Sequence, residues 1–253
     1  MNNLIESIEY KGYTIKIYAD DFPPDPIEDF DWLGTMVCWH SRYNIGHKHK
    51  YNSSDEFITE LAMIGDISLE DKIEYWESGN GWKSLTNENK AIHYESAIAY
   101  SDQRISNLIS KAIDDYYIML NIYMYDHSGI TIKTSPFSCP WDSGQIGFIY
   151  VSKKKIKKEY GWKVLTKKRI TQIENYLKNE VKTYDQYLRG EVYGYSIIDP
   201  VTNESIDSCS GFYGDWEESG LLSQAKAEID FDIKELEEYK AEMHNEEIGD
   251  CYI

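Results

Sequence analysis

Three short stretches gather the side-chain types from which catalytic and metal sites are built. "PFSCPWDSGQIGFIYVS" (136–152) brings Cys139, Trp141, Asp142 and Ser143 together around Pro136 and Pro140. "CWHSRYNIGHKH" (38–49) carries Cys38, His40, His47 and His49. "YDHSG" (125–129) sets Asp126, His127 and Ser128 side by side.

The chemistry each stretch suggests has a spatial requirement. A nucleophilic Cys139 needs a neighbouring base or a helix N-terminus to form its thiolate. No helix is predicted at Cys139. Pro136 and Pro140 force an extended path, and Asp142-Ser143-Gly144 reads as a turn into a strand at Gln145. Cys-x-His and His-x-His place both side chains on one face of a strand, and these are zinc donor types. The spacing in 38–49 fits no common zinc module, and a second Cys pair is missing, so a buried Cys and surface His are expected. Consecutive Asp126, His127 and Ser128 point apart, whereas a triad converges; Asp and Ser before Gly are turn chemistry. No catalytic residue is assigned. Asp126, His127 and Asp142 remain the set a metal-dependent hydrolase of nucleotides or defence signals would use. No cofactor is expected, since no G-x-G-x-x-G or G-x-x-x-x-G-K-[ST] loop occurs.

The elements that carry these stretches are strands in hairpins and a few amphipathic helices. "LIESIEY" and "YTIKIYA" flank a Lys11-Gly12 turn. "DDFPPDPIEDFDW" is a loop on its Pro and acid content, and 35–43 reads as a strand. Short helices are predicted over 54–64 and 69–77, followed by a loop, then an amphipathic helix over 101–117 capped by Ser101 or Asp102. Two strands joined at Asp126–Gly129 follow, and "QIGFIYVS" is a third. "LTKKRITQIENYLKNEVKTYDQYLRG" is the strongest helix, with an apolar seam of Ile170, Ile173, Leu177, Val181, Tyr184 and Leu188. Another hairpin turns at Pro200–Asn203, and a last helix covers roughly 219–245. The pattern is α+β, with a mainly antiparallel sheet built from hairpins and three to five flanking helices. One domain over 1–253 is expected, with 51–100 as a sub-lobe and 215–253 as an acidic C-terminal helix.

The chain holds 44 acidic and 26 basic residues, a formal charge of -18, which speaks against general affinity for DNA, RNA or anionic membrane. No signal peptide is read at the start, and no apolar stretch approaches the roughly 20 residues that span a bilayer. Four widely spaced Cys without an export signal suit a reducing cytosol. Charge is uneven. Residues 153–169 hold nine bases and one acid, whereas 215–253 hold 13 acids and three bases. The ordinary meaning of such runs is a solvated face; the basic run also suits neutralisation of acid within the molecule or across a homodimer, or contact with phosphate. The sharper meaning of the acidic run is a surface that competes with nucleic acid for a basic groove.

"YMYDHSGITI", "PFSCPWDSGQIGFIYVS", "EVKTYDQYLRGEVYGY" and "DSCSGFYG" together resemble a family of uncharacterised proteins of bacteriophages, prophages and mobile elements, over roughly 117–216. Family members usually carry Trp after the Cys of the last motif, where this chain has Ser210. The resemblance implies no reaction; it implies the cytoplasm of an infected bacterium. With the charge, it leads to an expected anti-defence inhibitor of anti-CRISPR or antirestriction type. The expected partner is a CRISPR-associated or restriction nuclease, bound stoichiometrically through Glu228, Asp230, Asp232, Glu235, Glu237, Glu238 and Glu242. A phage protein of housekeeping or structural use is the remaining expectation.

Overall fold

A computed structural model describes residues 4–63, 110, 111 and 113–249, with only the backbone for 59, 62, 63 and 241–249. The expected helix at 69–77, the loop after it and most of the 101–117 helix lie outside the described residues. The last turn of that helix, 113–116, is helical, with Ile113 buried. The class is α+β, and among the described residues every strand pair is antiparallel. The described strands form two four-stranded sheets. By contact the chain divides into two compact units, Met1–Phe30 with Thr183–Ile253, and Asp31–Lys182.

In the first unit the sheet order is β1 (Leu4–Tyr10), β2 (Tyr13–Ala19), β7 (Val192–Ile198), β8 (Ser205–Tyr213). The β1–β2 hairpin closes at Lys11 (φ 50°) and Gly12 (φ 91°), the double positive φ of a tight two-residue turn. Along β2, Tyr13, Ile15 and Ile17 alternate onto one face. They pack with Tyr195 and Ile197 of β7 against Leu221, Ala225 and Ile229 of the last helix, α5 (Leu221–Gly249). Inside the predicted "DDFPPDPIEDFDW" loop lies a one-turn helix, α1 (Pro26–Asp29). Asp25 caps it through the Ile27 N–H, and Pro26 supplies a preset first-turn φ.

In the second unit the order is β3 (Thr35–Cys38), β6 (Ser143–Ser152), β4 (Tyr117–Asp126), β5 (Ile130–Lys133). β6 is central and buried without interruption from Ile146 to Ile149, which is why its sequence lacks alternation. On one face Phe148 meets Phe57 of α2 (Ser54–Met63), with ring centroids 5.9 Å apart. On the other, Ile149 and Leu177 of α4 (Lys167–Leu188) close on Gly34 so tightly that a Cβ there would lie 2.6 Å from Leu177 Cδ2. The predicted α4 seam holds: Ile173, Leu177, Val181 and Tyr184 are buried, and Ile170 and Leu188 are half-buried. β3 is shorter than the predicted 35–43, because the chain folds back after Cys38 and the His47 N–H bonds to the Met36 carbonyl. The basic run begins with a helix that composition alone does not announce, α3 (Lys153–Glu159). Ser152 Oγ caps it by accepting the Lys155 N–H at 3.1 Å.

Candidate functional site

The strongest candidate surface is α5, whose two halves differ in role. Gly220, at φ 89°, turns the chain into the helix, and its carbonyl accepts the Gln224 N–H. Leu221, Ala225 and Ile229 then recur every four residues and are fully buried, pinning three turns to the sheet. Ile233 is the last half-buried seam position; every residue from Lys234 to Lys240 is exposed. The seam itself does not stop there. Leu236 and Tyr239 continue it at three-residue steps and are 48% and 61% exposed. Phe231, 57% exposed, adds a third large apolar group on the same helix.

The acids on α5 are not equivalent. Asp230 is committed to the fold, with Lys11 Nζ 2.8 Å from its carboxylate and the Tyr10 hydroxyl donating at 3.3 Å. The Lys11 hydrogen bond holds the Asp230 carboxyl below the usual range. Glu238 pairs along the helix with Lys234 at 3.5 Å, an exposed i,i+4 contact of small energetic weight. Glu228 and Asp232 are half-buried, and Glu235 and Glu237 are exposed. The Glu242 side chain lies outside the described residues. Of the expected partner-binding residues, the structure therefore places Glu235, Glu237 and Glu238 together on an uncovered helix, and draws Asp230 back into the β1–β2 turn.

The second cluster centres on Asp142. β4 and the corner before β6 bring Asp126, His127 and Asp142 close, and the Asp126 N–H bonds to the Asp142 carbonyl at 2.9 Å. His127 Nδ1 lies 3.7 Å from Asp142 Oδ2, and the Cys139 thiol also faces that oxygen at 3.7 Å. Asp126 instead pairs with Arg42 at 3.2 Å. The group facing Cys139 is thus a carboxylate, the opposite of what a thiolate nucleophile needs beside it. Ser143 Oγ donates to the Cys139 carbonyl, which closes the corner. Among the described residues, no three His, Cys, Asp or Glu side chains gather as a metal-ligand group.

The Cys38–His49 stretch is absorbed by its own loop. His47 Nδ1 accepts the Met36 N–H at 3.1 Å, and His49 Nε2 lies 2.9 Å from the Cys38 carbonyl. The Cys38 thiol is buried against β6, and burial pushes it up to about 12.

A third set was missed by sequence reasoning. Glu180 accepts the Leu33 N–H at 2.6 Å and the Gly34 N–H at 3.1 Å. Burial pushes its carboxyl above the usual range, partly offset by these two donors. Lys155 Nζ caps the carbonyls of Trp32 and Leu33 at 3.1 and 2.8 Å. Beside this clasp opens a cleft of about 570 Å³ lined by Asp31, Trp32, Lys155, Glu159, Tyr160 and Tyr176. In sequence Glu180 is one more polar residue on a helix, and nothing local marks its target.

No family model, no curated protein and no solved structure matches the chain. Among the described residues, no helix is long and apolar enough to cross a membrane.

Proposed function

We propose that the protein is a phage-encoded inhibitor of a bacterial defence nuclease, acting in the cytoplasm of the infected host. It binds the basic nucleic-acid groove of a restriction or CRISPR-associated effector through the distal half of α5. The observation that carries this reading is the uncovered stretch after Ile233. There an apolar seam outlasts its internal partner and is flanked by Glu235, Glu237 and Glu238. A bare acidic helix is a solvated face. An acidic helix with exposed Leu236 and Tyr239 suits a basic partner that also offers apolar surface. The net charge of -18 favours fast encounter with such a groove. The phage context rests on the sequence resemblance.

The test is plating efficiency. Phage is plated on hosts carrying a restriction or CRISPR system that targets it, with and without the protein expressed. The expected result is restored plating by the wild type and loss of that effect when Asp232, Glu235, Glu237 and Glu238 are changed to Lys. Asp230 is left intact to preserve the β1–β2 contact. Equal plating with and without the protein on every defended host would remove the inhibitor reading. Full activity of the fourfold variant would remove α5 as the contact.

A further inference from the structure

We propose that the basic segment after β6, with the cleft beside it, is a docking surface for single-stranded nucleic acid. It is built from residues other than those of α5 and does not rest on the inhibitor reading. Its first component is cationic. Ile156 is fully buried and fixes how α3 sits. Lys154, Lys157 and Lys158 then fall at i, i+3 and i+4 on the opposite, exposed face. Lys163, Lys167 and Lys168 continue the run and are also exposed. Among the described residues none of these six makes an ion pair, although the chain carries 44 acids. The first turn of α4 has no acid, so Lys167, Lys168 and Arg169 stand where the helix dipole is already positive. Among the described residues no carboxylate closes an ion pair with these lysines to offset that repulsion, and a bound anion would offset it.

The second component is aromatic. Trp162 stacks on Tyr160 with ring centroids 4.5 Å apart, and the Arg169 guanidinium lies 4.7 Å from the Trp162 ring. Arg169 also donates to the Val164 carbonyl at 2.6 Å, which fixes the connection between α3 and α4. Tyr160 is shared with the 570 Å³ cleft, whose other rings are Trp32 and the 43% exposed Tyr176. That volume lies within the range of small-molecule pockets, roughly 300–1,000 Å³. Asp31 and Glu159 at the rim would accept from exocyclic amino groups and repel phosphate.

 The two rim carboxylates, Asp31 and Glu159, thus leave the cleft to a base and the lysine faces to the backbone. Unpaired cations beside stacking rings are the ordinary composition of a single-strand site. Six free lysines exceed what one nucleotide's phosphates neutralise, which favours a strand over a mononucleotide. The overall negative charge weakens this binding at long range, but only over a screening length of about 10 Å at 0.1 M salt.

The experiment is fluorescence anisotropy on the full chain with labelled oligo-dT and oligo-rU of about 12 nucleotides, within the footprint of known single-strand folds. The expected result is binding at low salt that weakens about tenfold or more in the Lys154→Gln, Lys157→Gln, Lys158→Gln variant. The slope of log affinity against log salt should fall by about 2, from about 0.7 per lost phosphate contact on a single strand. Tyr176→Ala should weaken binding about tenfold with the slope unchanged, and Tyr176→Phe should restore it. The variants are surface changes, and unchanged circular dichroism verifies their fold. Absence of binding at low salt overturns the proposal, as does binding indifferent to these variants. Equal affinity for duplex DNA overturns it too. ATP competing at the oligonucleotide's own concentration would assign a mononucleotide instead. Preference for anionic phosphatidylserine vesicles would assign a membrane surface. A salt-sensitive oligomer abolished by the lysine variant would place the acidic α5 of a second copy there.

Discussion

Lys11 Nζ stands 2.8 Å from the Asp230 carboxylate, joining the tip of the β1–β2 hairpin to the middle of α5. Tyr10 lies in the same contact, with Lys11 and Lys226 at 5.6 and 5.4 Å from its ring. One acid of the charged helix is therefore tied to the sheet, whereas Glu235 and Glu237 make no ion pair among the described residues.

Asp230→Lys should lower the melting temperature, whereas Glu235→Lys should leave it unchanged, both read by thermal circular dichroism. The pH dependence has a definite sign. The Asp230 pKa is depressed in the folded state by Lys11, so its contribution is present above the ordinary carboxylate range and is lost as pH falls through the folded value. The difference between wild type and Asp230→Asn should therefore vanish in acid. A difference that persists below the folded pKa would mean that the ion pair is not its source.

Glu180→Gln should cost about 1–3 kcal/mol, read by urea denaturation. The carboxylate offers Oε1 to Leu33 and Oε2 to Gly34, and an amide can accept at only one of these positions. Here the pH sign is opposite to that of Asp230. Burial raises the folded pKa of Glu180, so wild type should gain stability relative to the variant as pH falls through that value. A flat difference from neutral pH to mild acid would contradict a raised Glu180.

Gly147→Ala should destabilise by about 3 kcal/mol or abolish folding, since overpacking against backbone cannot relax by rotamer change. A Cβ at 147 would overlap the Val37 carbonyl oxygen and lie 2.7 Å from Cys38 Cα. Gly144→Ala, three residues earlier on the same strand, meets nothing within 4 Å and is the control expected to fold normally.

Alkylation with iodoacetamide should separate the thiols. Cys38 is buried with its pKa pushed up to about 12, so its thiolate fraction at pH 8 is about 10⁻⁴. Cys139 and Cys209 are partly exposed and should be labelled first, as read by peptide mass spectrometry. Rapid labelling of Cys38 in the native protein would show that the β3–β6 packing opens.

Local pattern reached far into this fold. The period-two run in β2, the uninterrupted apolar run in β6 and the three-and-four spacing along α4 each identify an element and the face it buries. The Lys11-Gly12 and Asp126–Gly129 turns were legible for the same reason: turn chemistry lies within four consecutive residues. The uneven charge was also plain, because a count of Lys, Arg, Asp and Glu needs no geometry.

Tertiary structure decided which of those residues are free. Asp230 and Glu235 look alike in sequence, yet one is held by a lysine 219 positions away and the other has no ion pair among the described residues. Glu180 finds its donors 146 and 147 positions upstream, a pairing no local pattern encodes. Division of the strands into two sheets depends on β2 meeting β7 across most of the chain, and on β4 pairing with β6 beyond β5. Periodicity is a property of neighbours along the chain and survives in the sequence. Partnership is a property of neighbours in space, and only the folded chain sets it.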